Sequence, residues 1–260
     1  MKHVPLGPDM FYPADPEILR SLVSRQLERF PRGRSPAVVV PHGFYEITAP
    51  VLAAAWAAAA DFQPRQLVLL LPVHTPEGPE EQGIYHPGAE TISSPLGSHR
   101  VIGRVSSPVR SRYLEEEPAL DNSLPFISFL FGDVPVLPLF VSGTAGRIAD
   151  KLAKLLRECY TEQTLFAVST NLTGLADEDT AARQAQEVIR LLTAPGASRP
   201  HPPLLEPLRT RQIAPCNPAA LEALRRCGIT NAPYRLAAQQ TSQDLSGKRV
   251  WYGGLFHPDR

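Results

Sequence analysis

Short, fully apolar runs that alternate with helical segments are the feature that most constrains how this chain can fold. Three such runs, residues 37–40, 67–71 and 165–169, are rich in Val and Leu and have the length of single strands, and their one polar residue is Ser169 at the end of the third. Strands that are apolar at every position are typical of a sheet buried on both faces. The alternation therefore predicts an α/β fold, in which a central, mostly parallel sheet is flanked by helices.

Capping residues and periodicity predict the other elements. Asp15 and Pro16 predict the start of an amphipathic helix, and Asn217 with Pro218 predicts another that ends at Gly228. Further helices are expected at 47–60, 123–131, after Thr144 and at 180–192, with strands at 134–141 and 249–256. The first of those two strands contains prolines, which predicts a position near an edge or a bulge. Minor strands are expected within 76–112, and 194–207 is predicted to be an irregular surface loop, so residues 1–260 are expected to form a single domain.

Net charge and cysteine content indicate which partners and which cellular compartment are expected for this chain. The 26 basic and 26 acidic residues cancel, which gives no electrostatic reason to expect nucleic acid or an anionic membrane as a partner. The N-terminus lacks the apolar core of a signal peptide, and no apolar stretch is long enough to span a membrane. Three cysteines without a CxxC motif make a disulfide framework improbable, so we expect a cytoplasmic protein.

Polar residues that can do chemistry follow the three buried runs directly. His42, His74 and Asn171 each come just after one of them, and the carboxyl ends of parallel strands meet at one crevice. Cys216 stands just before a predicted helix start, where a thiolate ligand forms more easily. Two imidazoles and a thiolate suit copper(I) or zinc better than magnesium or calcium. For each residue alone, a hydrogen-bonded loop histidine or a small buried cysteine is the simpler interpretation.

Other polar residues have simpler interpretations. The run Glu115–Glu117 is expected to be solvated, although one of these glutamates could face the cleft. Asp121 and Ser123 are expected to cap a helix, and His99 is placed in a loop without an evident partner. Three more histidines are interpreted as surface loop or tail residues: His86, His201 and His257. Motifs of serine hydrolases, nucleotide-binding proteins and HExxH metalloproteases are absent from the sequence.

A series of motifs runs through nearly the whole chain in the order and spacing of one known family. They are FYPADPEIL (11–19), PHGFY (41–45), LLPVH (70–74), SPLG (94–97), DNSLPFISFLFGDVPVLPLFVSG (121–143), VSTNLTG (168–174), IAPCNP (213–218) and TSQDLSGKRVWYGGL (241–255). The chain resembles MEMO-like proteins, called AmmeMemoRadiSam system protein B in bacteria and archaea. The resemblance implies a single α/β domain like that of class III extradiol dioxygenases of the LigB type, which are non-haem iron enzymes.

The catalytic motifs depart from that family pattern. The resemblance implies an aspartate where this chain has Asn171 and histidines where it has Gly174 and Asn122, while Pro125 replaces a glutamate. A non-haem iron site of this type needs two histidines and a carboxylate, so ring cleavage is not expected. The resemblance also implies that His42, His74 and Cys216 form a metal-binding trio. Without an imidazole at position 174, the cleft should be open near Asn171.

Three hypotheses about function follow. The favoured one is a divergent MEMO-like protein without conventional dioxygenase activity that binds a partner or small ligand at a partly degenerate metal-site cleft. The resemblance implies radical-SAM and AMMECR1-like proteins as partners. The second is a redox enzyme with copper or non-haem iron at His42, His74 and Cys216, and zinc is a further candidate metal. In the third, the histidines only form hydrogen bonds within loops.

Overall fold

The computed structural model describes residues 7–74, 82–103, 117–144, 146–194, 204–229 and 232–258. The helices are α1 (Pro16–Leu27), α2 (Tyr45–Ala57), α3 (Pro118–Phe131), α4 (Gly146–Cys159), α5 (Glu178–Thr193), α6 (Leu205–Arg209) and α7 (Pro218–Arg226). The strands are β1 (Ala37–Val40), β2 (Gln66–Pro72), β3 (Gly83–Tyr85), β4 (Thr91–Ser94), β5 (Gly97–Arg100), β6 (Val136–Ser142), β7 (Thr164–Ser169), β8 (Arg235–Gln243) and β9 (Arg249–Phe256). All the helices and strands expected from the sequence within these residues are present.

Seven strands form one sheet in the order β3-β6-β2-β7-β1-β9-β8. The four central strands, β6, β2, β7 and β1, are parallel, whereas β3 at one edge and β9 and β8 at the other are antiparallel. Strands β4 and β5 pair with each other in a separate hairpin. The predicted α/β class with a mostly parallel central sheet is therefore confirmed.

Two apolar clusters cover the two faces of this sheet. On β1, Val38 and Val40 belong to one cluster with side chains of α1, α2 and α3, while Ala37 and Val39 belong to the other with side chains of α4, α5 and α7. Successive strand residues point to opposite faces, so a strand between two helical layers must be apolar throughout. This is the physical origin of the fully apolar runs in the sequence.

The prolines of β6 are explained by its position. This strand lies one place in from the edge, next to the short strand β3, which pairs only with residues 140–142. Pro138 lies outside that pairing, so its missing N–H removes no bond to β3. The predicted location near an edge is confirmed.

Strand β8 is the long element that the sequence did not predict. It pairs antiparallel with β9 over residues 235–243 and forms the edge of the sheet. Its sequence, RLAAQQTSQ, is mostly polar, because every residue of the strand is exposed or half-buried. A strand that is neither apolar throughout nor strictly alternating gives no periodic signal.

Helix α3 begins at Pro118, before the predicted start at residue 123. The Glu117 side chain accepts a hydrogen bond from the Ala119 N–H and is the cap. Asp121 and Ser123 therefore lie inside the helix and are buried, so the prediction that they cap it is wrong. Asp121 instead accepts a hydrogen bond from the Gly7 N–H at 2.8 Å.

The interpretation of three histidines as exposed or without partners was wrong where the structure describes them. His99 on β5 is 0% exposed, and its ring contacts the Val134 carbonyl at 3.0 Å and the Ser128 hydroxyl at 2.8 Å. His86 and His257 are 9% and 4% exposed. Nε2 of His86 lies 3.4 Å from the Ile102 carbonyl, and Nε2 of His257 accepts a hydrogen bond from the Ala232 N–H at 3.1 Å. The sequence does not show such partners, which are distant in the chain. His201 lies outside the described residues.

None of the helices that the structure describes is long and apolar enough to cross a bilayer.

The close approach of β9 to α2 requires a glycine at position 254. A Cβ at Gly254 would lie 2.6 Å from the Val51 carbonyl oxygen, which is backbone and cannot rotate away. We expect Gly254→Ala to lower the free energy of unfolding by about 1–3 kcal/mol, the usual cost of overpacking. Gly88→Ala is the matched control, because a Cβ there meets no atom within 4 Å. Urea denaturation of both variants measures the difference, and equal midpoints would contradict this packing.

Candidate metal centre

The carboxyl ends of three neighbouring parallel strands bring two histidines together. His42 follows β1 and His74 follows β2, and β7 lies between these strands in the sheet. The two imidazole rings are 4.9 Å apart between centroids and inclined at 59°. This separation is well inside the limit of about 8 Å beyond which two histidines could not share one ion.

Cys216 enters the same place from the loop before α7. Its Sγ lies 3.4 Å from Nε2 of His42. His42, His74 and Cys216 each offer one ligand atom, and these three atoms lie within 4.8 Å of one another. Metal–ligand bonds of about 2.0–2.3 Å place the ligand atoms of a tetrahedral site roughly 4 Å apart or closer, so only a small closure is needed.

The second nitrogen of each imidazole is held by a polar side chain. Nδ1 of His42 lies 2.9 Å from the Ser169 hydroxyl, and Nδ1 of His74 lies 3.1 Å from a carboxylate oxygen of Glu117. This leaves both Nε2 atoms for an ion, with the ring orientations fixed. A carboxylate behind a metal-binding histidine is a recurrent arrangement that raises the basicity of the ligand.

Glu117 contacts the centre, although the sequence favoured a solvated position for it. It is 2% exposed, caps α3, and also accepts a hydrogen bond from the His74 backbone N–H at 2.9 Å. The interpretation of its acidic run as solvated is wrong at this position, whereas the possibility that one glutamate faces the cleft is correct. Glu115 and Glu116 lie outside the described residues. The available signal was an acidic residue directly before a helix-starting proline, Pro118.

Asn171 supports both sides of the centre without belonging to the ligand group. Its Oδ1 accepts a hydrogen bond from the His42 N–H at 3.1 Å, and its own N–H donates to Cys216 Sγ at 2.9 Å. The Thr170 hydroxyl is 3.5 Å from the same sulfur. An N–H directed at sulfur stabilises the thiolate form.

Asn122 holds the loop that carries His42. Its Oδ1 accepts a hydrogen bond from the Gly43 N–H, and its carbonyl oxygen accepts one from the Tyr45 hydroxyl at 2.6 Å. The side chain is fully buried, and its Nδ2 has no hydrogen-bond partner among the described residues. Asn122 therefore contacts the cleft through the loop after His42 and not as an exposed lining residue.

Asn217 ties the start of α7 to the end of β7. It is the N-cap residue, as predicted, but its side chain does not cap the helix, and that part of the prediction is wrong. The amide instead donates to the Ser169 carbonyl at 3.3 Å, and the Asn217 N–H donates to the Thr170 hydroxyl at 3.1 Å. These bonds fix the position of the neighbouring Cys216.

Gly174 has free space around it, and an open cleft near Asn171 stays a prediction. A Cβ built on Gly174 would meet no heavy atom within 4 Å, and its backbone N–H donates to the Ala214 carbonyl at 3.1 Å. Gly174 is exposed. A side chain at this position would therefore find room, which agrees with an opening where the resemblance implies an imidazole.

Without a metal ion, the electrostatics of the centre favour a negatively charged Cys216 thiolate beside a positively charged His74 imidazolium. Burial alone would raise the pKa of the Cys216 thiol, but the contacts with His42 and His74 outweigh it and lower the pKa to about 5. Burial alone would lower the pKa of His74, but hydrogen bonds to Cys216 and Glu117 raise it to about 10. At neutral pH the sulfur is therefore the thiolate that a metal ion requires.

The titration of Cys216 can be followed by thiolate absorbance at 240 nm in metal-free protein. We expect a step at about pH 5, because the thiolate is stable above its folded pKa and is protonated below it. Cys216→Ser should remove this step, whereas Cys159→Ser should retain it, since burial raises the pKa of Cys159 above its ordinary value. Glu117→Gln should move the step to higher pH by weakening the charge on His74. A step that persists in Cys216→Ser would contradict the assignment.

Comparison with known proteins places these residues in a family. The model of the Memo-like protein family matches residues 9–195. A MEMO1 family protein of Thermotoga petrophila is 28% identical over 225 residues, which cover 82% of this chain and 78% of that protein. A MEMO1 family protein of Methanopyrus kandleri is 24% identical, and the alignment covers 95% of this chain and 94% of that protein.

Among solved structures, an uncharacterized protein of Escherichia coli K12 aligns with a TM-score of 0.46 and 14% identity, over 85% of this chain and 99% of that one. The family match includes the segments that carry His42, His74, Asn122 and Asn171, while Cys216 lies beyond it. More than half of the chain is matched, and the resemblance seen in its motifs is confirmed. The chain belongs to the Memo-like protein family.

Proposed function

We propose that this protein binds one copper(I) or zinc ion through His42, His74 and Cys216, and that a small ligand binds at the same ion. The observation that carries the proposal is the convergence of one ligand atom from each residue within 4.8 Å. Both rings also have their second nitrogen engaged by Ser169 or Glu117, as metal-binding histidines usually do. Histidines that only filled loops would have no reason to share this arrangement with a thiolate.

The donor set favours these ions over the iron of ring-cleaving dioxygenases. Thiolate with imidazole suits copper(I) and zinc, whereas the iron of a facial triad needs a carboxylate ligand. The nearby carboxylate, Glu117, is occupied by His74 and by the start of α3, and Asn171 offers only a neutral amide. We therefore infer a divergent family member without conventional dioxygenase chemistry. An ion held here would supply a Lewis-acid or one-electron redox centre for the bound ligand.

The residues around the ligands have separable tasks in this proposal. Glu117 holds the His74 ring so that Nε2 faces the sulfur. Asn171 connects the His42 backbone to Cys216 and supplies an N–H to the thiolate. We expect a small molecule to approach the ion past Gly174, where an added Cβ would meet no atom within 4 Å.

Metal content measured by mass spectrometry tests the proposal. We expect untagged protein, purified and reconstituted, to contain close to one copper or zinc ion per chain. His42→Ala, His74→Ala and Cys216→Ser should each lose most of it, because two remaining ligands hold an ion poorly. Cys159→Ser is the matched control, since this free cysteine lies outside the metal-binding group and should leave the content unchanged.

Thermal unfolding of the metal-free variants separates lost binding from lost folding. A folded wild-type protein that takes up no metal after reconstitution would contradict the metal proposal. Turnover of a catechol by iron-loaded protein would contradict the exclusion of dioxygenase chemistry.

The role of Glu117 is tested by Glu117→Gln, which preserves size and the capping oxygen but removes the charge. We expect the affinity for zinc to fall about 10–100-fold, the usual effect of losing such a supporting carboxylate. Competition with a chromophoric chelator measures the affinity, and chemical denaturation measures stability. An unchanged affinity would mean that Glu117 only caps α3.

A further inference from the structure

A cavity lies at the opposite end of β1 from the metal centre. Its volume is about 530 Å³, within the range of small-molecule sites. Residues just before β1 form one wall, the end of α2 forms another, and the start of β8 with the end of β9 forms the third. His42 is the second residue after the end of β1, so the length of this strand, about 13 Å, lies between the two sites.

The lining of this cavity combines positive charge with apolar surface. Three arginines line it, Arg32, Arg34 and Arg235, and none of the described residues contributes a carboxylate to the lining. The apolar part of the lining is formed by Phe30, Pro31, Ala54, Ala58, Leu236, Ala237, Phe256 and Pro258. An arginine fork binds carboxylate and phosphate groups in a bidentate manner, so this lining matches an anion attached to an apolar body.

Two of these arginines have no counter-charge within the part of the chain that the structure describes. Arg32 pairs with Asp61 at 2.8 Å and donates to the Ala60 carbonyl at 3.0 Å. The side chains of Arg34 and Arg235 make no ion pair or hydrogen bond with any described residue. Both side chains are exposed, so they are accessible to an anion that would serve as their charge partner.

The C-terminal carbonyl groups of α2 are close to the cavity but do not prevent an anion from binding there. Carbonyls at a helix C-terminus carry partial negative charge, but those of Ala57 and Ala58 already accept hydrogen bonds from the Gly33 and Ser35 N–H groups. The Ala60 carbonyl is bound by Arg32. These carbonyls at the end of α2 are therefore already engaged by hydrogen-bond donors.

We propose that this arginine cavity binds a small amphipathic anion, with its carboxylate or phosphate on Arg34 and Arg235 and its apolar body against Leu236 and Phe256. The proposal depends on the lining and charge of this cavity and is independent of the metal centre. Ligands of different alkyl chain length test whether the apolar lining contributes to binding. Ligands with charged and uncharged head groups test whether the arginines require an anion.

Calorimetric titration of the full protein with octanoate and octyl phosphate tests this proposal. We expect saturable binding of at least one of them, with one molecule per chain, and much weaker binding of butanoate and of uncharged 1-octanol. Arg34→Gln and Arg235→Gln should each weaken binding about tenfold or more, as expected for the loss of a charge-assisted pair. Comparison of the two anions shows which head group the cavity prefers.

Two further variants distinguish this site from general adsorption. Arg183→Gln removes an exposed arginine on α5, outside the cavity, and should bind octanoate like wild type. Ala237→Phe should reduce binding by filling the cavity while retaining all three arginines. Metal content should be unchanged in every variant. Absence of saturable binding by either anion, or equal binding by wild type and the Arg34→Gln/Arg235→Gln double variant, would overturn the proposal.

Discussion

The parallel pairing of β2, β7 and β1 is the constraint on which the metal centre depends. Because the three strands run in one direction, the loops after them leave the sheet at one edge, where His42, His74 and Asn171 meet. The strands are buried between two apolar clusters, so a slip of one residue would turn each strand's side chains to the wrong layer. The geometry of the site is thus a consequence of core packing.

The parts of the fold that were predictable are those with a local physical signal. A strand that is apolar at every position fits only between two covering layers, and this fixed the sheet and the positions of His42 and His74. What was not predictable depends on contacts between distant segments. Glu117 looks like one of three solvated glutamates until His74 approaches it, and His99 looks like a loop residue until Ser128 and the Val134 carbonyl enclose it. Strand β8 is polar and one-sided, so periodicity could not identify it.

Two asparagines stand where the family resemblance implies ionisable residues, and both bind the backbone after β1. Asn171 accepts from the His42 N–H, and Asn122 accepts from the Gly43 N–H. An amide oxygen can make these bonds without adding charge. A carboxylate at position 171 would place negative charge beside the Cys216 thiolate, which the N–H of the same residue now stabilises. The asparagines thus maintain the loop without adding charge, and the negative charges beside the imidazoles are those of the Cys216 thiolate and the Glu117 carboxylate.

The residues that hold His42, His74 and Cys216 in place belong to helical layers on opposite faces of the sheet. Glu117 and Asn122 are anchored on α3, which packs in the cluster on one face of the sheet, and they hold His74 and the loop after His42. Cys216 is held by the end of β7 and by the start of α7, which packs on the other face. An ion shared by these residues would act as a cross-link between the two helical layers. Its presence would therefore determine how firmly the layers are joined at that end of the sheet.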